Sequence, residues 1–262
     1  MPTMTVNGLS TNVQLVPADG TQSNRTQTVV FLHGMGTDSL ASFYLTLAPP
    51  VAAAGINVIS YDLRGHGKTE RPASGYTIAD FVADLHDLLC QLDVEQVHLV
   101  GNSFGGTLAF SYAAAHPSRV RSIVCIESEP ATEVWADKMT QILDHTVEFL
   151  AHEESYDWIE ANFSAHHRRL ARMAADRIMT TSIAQEVPLG PLLSLDDIAA
   201  IECPVLSILG SHGYQANDLE ALTSSLRNGE LHVFEGQGHS VLVERHREVR
   251  ELVLRWIDRQ TG

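Results

Sequence analysis

The segment Val100-Gly101-Asn102-Ser103-Phe104-Gly105-Gly106 constrains this chain more than any other. A β-branched and apolar run, Gln96-Val97-His98-Leu99-Val100, leads into it, and a helix-forming run from Thr107 to Ala115 leads out. Strand, one-residue turn and helix in direct succession bring strand and helix so close that a Cβ at a flanking glycine would clash, and they hold the serine in a disfavoured φ/ψ region. This is the local geometry of a nucleophile elbow, which pushes Oγ off the end of the sheet. The helix N-terminus behind it presents the Phe104 N–H to any oxyanion formed at Oγ. A Gly-x-Ser-x-Gly pentapeptide alone also marks glycine-rich turns. The strand before it, the helix after it and a histidine further along the chain select the catalytic reading.

Length and charge exclude several function classes. A chain of 262 residues buries a full-sized core, and one α/β domain with an insertion accounts for it better than two separate domains. With 32 acidic against 17 basic residues the formal net charge is −15, and no basic stripe exists to displace counterions from phosphates. Nucleic acid is therefore not an expected partner. The longest apolar stretches are strand-length, so no membrane span is expected, and the opening Met1-Pro2-Thr3-Met4-Thr5 lacks the basic and apolar regions of a signal peptide. The three cysteines, Cys90, Cys125 and Cys203, are odd in number and fall within apolar elements, which reads as reduced thiols in a cytoplasmic protein. Thirteen histidines include the pair His166-His167 but no HExxH or Cys/His ligand spacing, so neither a metal site nor a cofactor is expected. Nothing in the sequence argues against assembly as a homodimer.

Along the chain, Met4–Val6 and Asn12–Val16 around Asn7-Gly8-Leu9 read as a hairpin, followed by a polar loop over Ala18–Arg25. Buried-strand runs then recur at Thr28–Leu32, Ile56–Tyr61, Gln96–Val100, Arg121–Ile126, Val205–Leu209 and Leu231–Phe234, with helices expected at about 40–54, 77–93, 104–116, 217–227 and 243–259. Near-continuous apolar strands alternating with helices predict an α/β fold: a mostly parallel, largely eight-stranded sheet with helices on both faces. Residues 131–198 break the rhythm. They carry no strand signal and read as several helices, with Trp135, Phe149, Tyr156, Trp158 and Phe163 spaced among charges and Pro188-Leu189-Gly190-Pro191 at the far side. The expected organisation is thus a core in two parts, 1–130 and 199–262, interrupted by a helical lid. Of the aromatic residues on such amphipathic helices most serve packing; Trp135 and Trp158 are the candidates for substrate contact.

Two further motifs converge on Ser103. Glu235-Gly236-Gln237-Gly238-His239-Ser240 follows the last strand, and in the chain order serine, acid, histidine this is where the general base sits. His239 within hydrogen-bond reach of Ser103 raises the nucleophilicity of the serine, imidazole having a suitable proton affinity near neutral pH. Phe31-Leu32-His33-Gly34-Met35-Gly36 follows the first core strand and supplies a second oxyanion donor, the Met35 N–H, with Gly34 adjoining the substrate and His33 bracing the loop. Tyr61–Thr69, another glycine-permitted turn after a strand, takes a scaffold role.

His33-Gly34-Met35-Gly36, Asp62-Leu63-Arg64-Gly65-His66-Gly67, Gly101-Asn102-Ser103-Phe104-Gly105-Gly106 and Gly238-His239 together resemble the α/β-hydrolase superfamily over nearly the whole chain. The Asn-Ser-Phe-Gly-Gly form of the elbow is similar to that of hydrolases cleaving carbon–carbon bonds in aromatic ring-fission products, and a serine there argues against the haloalkane dehalogenase and epoxide hydrolase branches. The acid departs from the family pattern. Most members carry an aspartate in a Gly-x-x-Asp sequence after the strand that corresponds to Val205–Leu209, where this chain has Gly210-Ser211-His212-Gly213. Asp218 is near, but Asn217-Asp218-Leu219-Glu220 reads as a helix start. Glu127, at the tip of the preceding strand, is the favoured carboxylate over Asp218 and Glu129, a placement that resembles the zearalenone lactonases. Its role would be to hold one tautomer of His239 and stabilise the imidazolium.

The resemblance implies a serine hydrolase acting on an ester or lactone of a moderately apolar small molecule, a macrolactone being one candidate. Three other readings stay open: a carbon–carbon hydrolase of ring-fission products, a cofactor-free dioxygenase on the same fold, and a non-catalytic small-molecule binding protein. The dioxygenases place a histidine beside the nucleophile position, where this chain has Asn102 and Phe104. An intact Ser103 and His239 argue against a binding protein.

Overall fold

The computed structural model describes residues 3–19, 27–215 and 223–260. Eight strands, β1 (Thr3–Val6), β2 (Leu9–Val16), β3 (Thr28–Leu32), β4 (Asn57–Tyr61), β5 (Val97–Asn102), β6 (Val120–Ile126), β7 (Val205–Gly210) and β8 (Gly229–Phe234), form one sheet. Their spatial order is β1-β2-β4-β3-β5-β6-β7-β8. Only the β1–β2 and β2–β4 pairs are antiparallel; every other pair is parallel. The parallel part is the part that needs cover on both faces, and its central strands comply: every residue of β3 and β7 is buried.

One face is covered by α3 (Ile78–Gln91) and α4 (Phe104–Ala115), the other by α1 (Ala41–Tyr44), α2 (Ala48–Ala53) and the C-terminal helix His246–Arg259. α3 begins in a capping box, Thr77 and Asp80 each accepting from the other's backbone N–H. Residues 104–113 of α4 are buried around the whole helix circumference, as befits an element wedged between the sheet and α3. The single helix expected over 40–54 is instead two short ones. Pro49 and Pro50 fit only a first helical turn, so the chain restarts at Ala48. The terminal helix likewise starts earlier, as a turn over Val241–Glu244, and is interrupted at Arg245. Most of the expected loop at 18–25 and helix at 217–227 lies outside the described residues.

Between β6 and β7 the chain is helical: α5 (Glu133–Leu150), α6 (Glu153–Asn162), α7 (Ala165–Thr180), α8 (Ile183–Glu186) and α9 (Leu195–Ala199). The later half of this segment is stitched to the core. Ser182 N–H donates to Ala73 O at 2.9 Å, Gly75 N–H to the Glu186 carboxylate at 2.8 Å, and Ile78 N–H to Gly190 O at 3.0 Å. Cys125 is buried in β6 and Cys203 half-buried, but Cys90 is exposed at the end of α3, not enclosed as its apolar neighbours imply; all three are free thiols. No described helix is long and apolar enough to cross a membrane.

Candidate active site

The β5–α4 junction shows why glycine flanks the serine. A Cβ on Gly101 would overlap the Gly105 and Gly106 backbone, and one on Gly105 would overlap the Leu32 carbonyl. Ser103 sits between them at φ 51°, ψ −121°, a left-handed conformation that a non-glycine residue adopts only when its surroundings enforce it. Its N–H donates to Ile126 O at 2.8 Å, and its carbonyl accepts from Ser128 Oγ at 2.6 Å, so the turn is held from β6 as well as from its own helix.

From the loop after β8, His239 reaches back to the same point. Its Nε2 lies 3.1 Å from Ser103 Oγ and its Nδ1 3.1 Å from Glu127 Oε2. Glu127 is fully buried and, like Ser103, has a positive φ, 52°. Its N–H donates to Ile208 O at 2.9 Å, its carbonyl accepts from Gln215 Nε2 at 2.8 Å, and its second carboxylate oxygen, Oε1, accepts from the Gly210 N–H. Gly213 occupies the position where the family pattern has aspartate. A Cβ built there would lie 2.6 Å from Glu127 Oε2. The two positions thus compete for one volume beside His239, and the glycine leaves it to Glu127. Glu129, the other nearby glutamate, is turned instead to an ion pair with Lys138 at 2.5 Å. Asp218 falls outside the described residues.

The two residues expected to donate to an oxyanion, Met35 and Phe104, lie on the same side of the site as Ser103. Met35 and Phe104 both line the cavity above Ser103, and neither amide has a protein acceptor among the described residues. Gly34 packs against Ser103, its N–H donating to Asp38 Oδ2 at 2.7 Å. His33 is buried behind it, accepting from the Leu63 N–H at 2.9 Å through Nε2 and facing Gly34 O at 2.6 Å through Nδ1. Burial lowers its pKa, which keeps the ring neutral and able to serve both partners. Asp62 braces the adjoining turn by accepting from the Leu40 and Lys68 amides at 2.9 Å each.

The cavity over Ser103 has a volume of about 270 Å³. Its walls are mainly apolar: Met35 and Phe104 from the sheet side, and Trp135, Met139, Leu143 and Ile178 from the helical segment. Besides Ser103, His239 and Glu127, its polar residues are Thr107, Ser128, Thr146, Tyr214, Gln215 and the Glu129–Lys138 pair. The Tyr214 ring lies 5.3 Å from that of His239 at one side of the cavity. Of the two tryptophans expected to touch substrate, Trp135 is 3% exposed and lines the cavity, whereas Trp158 does not. Trp158 is 53% exposed on α6 and packs edge-on with Phe149 and Phe163, α6 lying chiefly against α7 and α5. Sequence reasoning missed Gln215, Tyr214 and the Glu129–Lys138 pair, whose places depend on how the loops meet. Among the described residues no group of three or more His, Cys, Asp or Glu is placed to hold a metal ion.

Comparison with known proteins agrees with this architecture. Among curated proteins, the chain is 28% identical over 237 residues to the non-heme chloroperoxidase CPO-A1 of Kitasatospora aureofaciens, covering 81% of this chain and 85% of that one. It is 26% identical to the 2-hydroxymuconate semialdehyde hydrolase of Pseudomonas sp. (strain CF600), covering 86% and 84%. Among solved structures, a carboxylesterase of Nitrososphaera gargenis superposes with a TM-score of 0.79 at 22% identity over 99% of both chains, a likeness of fold. Residues 27–245 match the family model described as the alpha/beta hydrolase fold, and the chain belongs to that family.

Proposed function

We propose that this protein is a serine hydrolase that cleaves an ester or lactone of a moderately apolar small molecule through an acyl-enzyme. The observation that carries this reading is the unbroken chain Ser103 Oγ, His239, Glu127, with 3.1 Å at each step, opening onto an apolar cavity. In this mechanism Ser103 Oγ attacks the carbonyl carbon while His239 Nε2 takes its proton. The negative oxygen of the tetrahedral intermediate accepts from the Met35 and Phe104 N–H groups. His239 Nε2–H then protonates the departing alkoxide, Glu127 holding Nδ1–H and the imidazolium throughout. Water, deprotonated by His239, attacks the acyl carbon, and collapse of the second intermediate returns Ser103 its proton and releases the acid.

A cavity of about 270 Å³ lies at the lower edge of the range of roughly 300–1,000 Å³ common to drug-sized ligands. That supports a compact ester or small lactone over a macrolactone, even though the acid at the β6 tip parallels the zearalenone lactonases. The likeness to the 2-hydroxymuconate semialdehyde hydrolase favours carbon–carbon hydrolysis as the second reading, since the same serine and histidine would serve it.

A panel of activated esters, small lactones and a vinylogous diketone, assayed beside labelling by a fluorophosphonate probe, separates the two. Ester turnover with a label on Ser103 is expected, and Ser103→Ala should lose both, with kcat falling about 10⁶-fold. Diketone turnover without ester turnover would replace this reading by the second, and a labelled Ser103→Ala would overturn the nucleophile.

A further inference from the structure

α7 carries a buried cation that the mechanism above does not use. Arg177 is 4% exposed, and among the described residues no carboxylate lies within ion-pair distance of its guanidinium. It is held instead by backbone carbonyls of two core loops: Nε donates to Gly65 O at 2.5 Å and Nη1 donates to Gly36 O. Burial brings its pKa down to about 10, so the group is still charged at neutral pH. A buried guanidinium without an anionic partner is expensive to maintain, and an apolar residue of similar length would pack against the same loops at less expense. What the apolar residue would lack is the planar fork that grips two carbonyls at fixed separation.

The grip falls at a telling place. Gly36 directly follows Met35, whose N–H is one of the two oxyanion donors, and both residues line the cavity. The first half of that loop is fixed from the core through His33 and Asp38. Among the described residues, no other hydrogen bond restrains the Met35 or Gly36 backbone. The next residue on α7, Ile178, is itself part of the cavity wall. The helix that contributes Ile178 to the cavity wall therefore also holds the loop that carries the Met35 N–H.

We infer that Arg177 is a positioning residue, clamping the Met35–Gly36 loop to α7 so that the Met35 N–H points at the oxyanion only while the helical segment is seated. This rests on the acyl transfer proposed above. An amide displaced by a fraction of an ångström binds the ground-state carbonyl about as well but the tetrahedral oxygen less well, so the effect should appear in kcat and not in KM.

The test compares Arg177→Met, Arg177→Lys and Asp176→Asn in the full chain. Asp176 pairs with Arg71 and so ties the same helix to the core without touching the loop. Arg177→Met should lower kcat about 10- to 100-fold with KM within about threefold, and weaken inhibition by an alkyl boronic acid, which forms a tetrahedral adduct on Ser103, by the same factor. Arg177→Lys keeps the charge but not the fork and should fail to rescue. Asp176→Asn should retain kcat. Full activity in Arg177→Met, full rescue by lysine, or an equal loss in Asp176→Asn overturns the inference while leaving acyl transfer intact. Wild-type protein that neither turns over esters nor binds the boronate breaks the proposed function itself, and this inference falls with it.

Discussion

On the sheet side of the cavity, Gly101 and Gly105 leave no room for a methyl group and Ser103 and Glu127 are both held at positive φ, whereas on the helical side Trp158 of α6 and Phe163 just after it are 53% and 63% exposed. The ion pairs differ in the same sense. Arg64 and Asp84 are buried together beneath the sheet-side loops, while Arg168, Glu153, Asp157 and Glu160 form a network open to solvent between α6 and α7. Backbone packed on backbone admits few substitutions, and surface pairs contribute about 0–1 kcal/mol each. The proposed chemistry thus sits on the side that tolerates little change, and the outer helices admit more. The two sides meet at several points, Gly75–Glu186 and Ile78–Gly190 among them, and at Arg177 the contact reaches the loop that carries Met35.

The strongest way to break this contrast is to show that the rigid side tolerates losing its carboxylate. Glu127→Gln should lower kcat on an activated ester by about 10³ to 10⁴, since a neutral amide neither stabilises the imidazolium nor enforces the tautomer. Gly213 makes a second arm available. Its backbone has no positive φ, and the tightest obstacle to a side chain there is the Glu127 carboxylate, with Gly210 O next at 3.2 Å. The double variant Glu127→Gly, Gly213→Asp frees that volume and moves the acid to the position usual in the family; it should regain at least about tenfold over Glu127→Gly alone. Near-normal activity in Glu127→Gln, with loss in Asp218→Asn, would transfer the role to Asp218.

That exchange of positions also marks how far the sequence could be read. The elbow, the base loop and the parallel sheet were legible because each is written locally: glycines at fixed offsets, apolar runs of strand length, turns directly after strands. Glu127 was reachable because the expected aspartate is absent from Gly210-Ser211-His212-Gly213, and a missing carboxylate has to be found on a neighbouring strand. Trp158 was misread since its spacing among charges matches that of Trp135, and only the packing of α5 against the core distinguishes the helix that faces Ser103 from the one behind it. Arg177 left no signal at all. Its partners are carbonyls, 112 and 141 residues away, and carbonyls carry no side-chain identity.

The buried histidines among the described residues all lie on the sheet side, which offers a second test. His33, His66 and His98 are buried on the sheet side, while His145, His152, His166 and His167 of the helical segment are exposed. Burial, with the Arg121 charge adding to it, lowers the His98 pKa from 6.5 to about 4. The unfolded chain therefore binds a proton at this residue between those values while the folded chain does not. Its contribution to stability is complete above pH 6.5 and is lost as pH falls toward 4, amounting to about 3 kcal/mol. His33 and His66, lowered for the same reason, act in the same direction. Denaturant titrations at pH 7.5 and 4.5 should show this loss in the wild type and a smaller one in His98→Gln, relative to each protein's own stability at pH 7.5. An equal loss in both would place the acid sensitivity elsewhere.

The smallest effect belongs to the outer helix. Trp158 packs edge-on with Phe149 and Phe163, ring centroids 6.2 and 5.9 Å apart, but has no part in the cavity wall. Replacing it with alanine removes contacts among side chains that are already half in water, so Trp158→Ala should cost about 1 kcal/mol or less in stability, well under the roughly 3–5 kcal/mol of a buried Trp→Ala change. Both kcat and KM on a compact ester should stay within about twofold of wild type. A rise in KM confined to substrates too long for the cavity would mean that Trp158 and Phe163 extend the binding site. A rise in KM for compact esters would instead mean that α6 supports α5 and α7 over Ser103, and the division of labour between the two sides would fail.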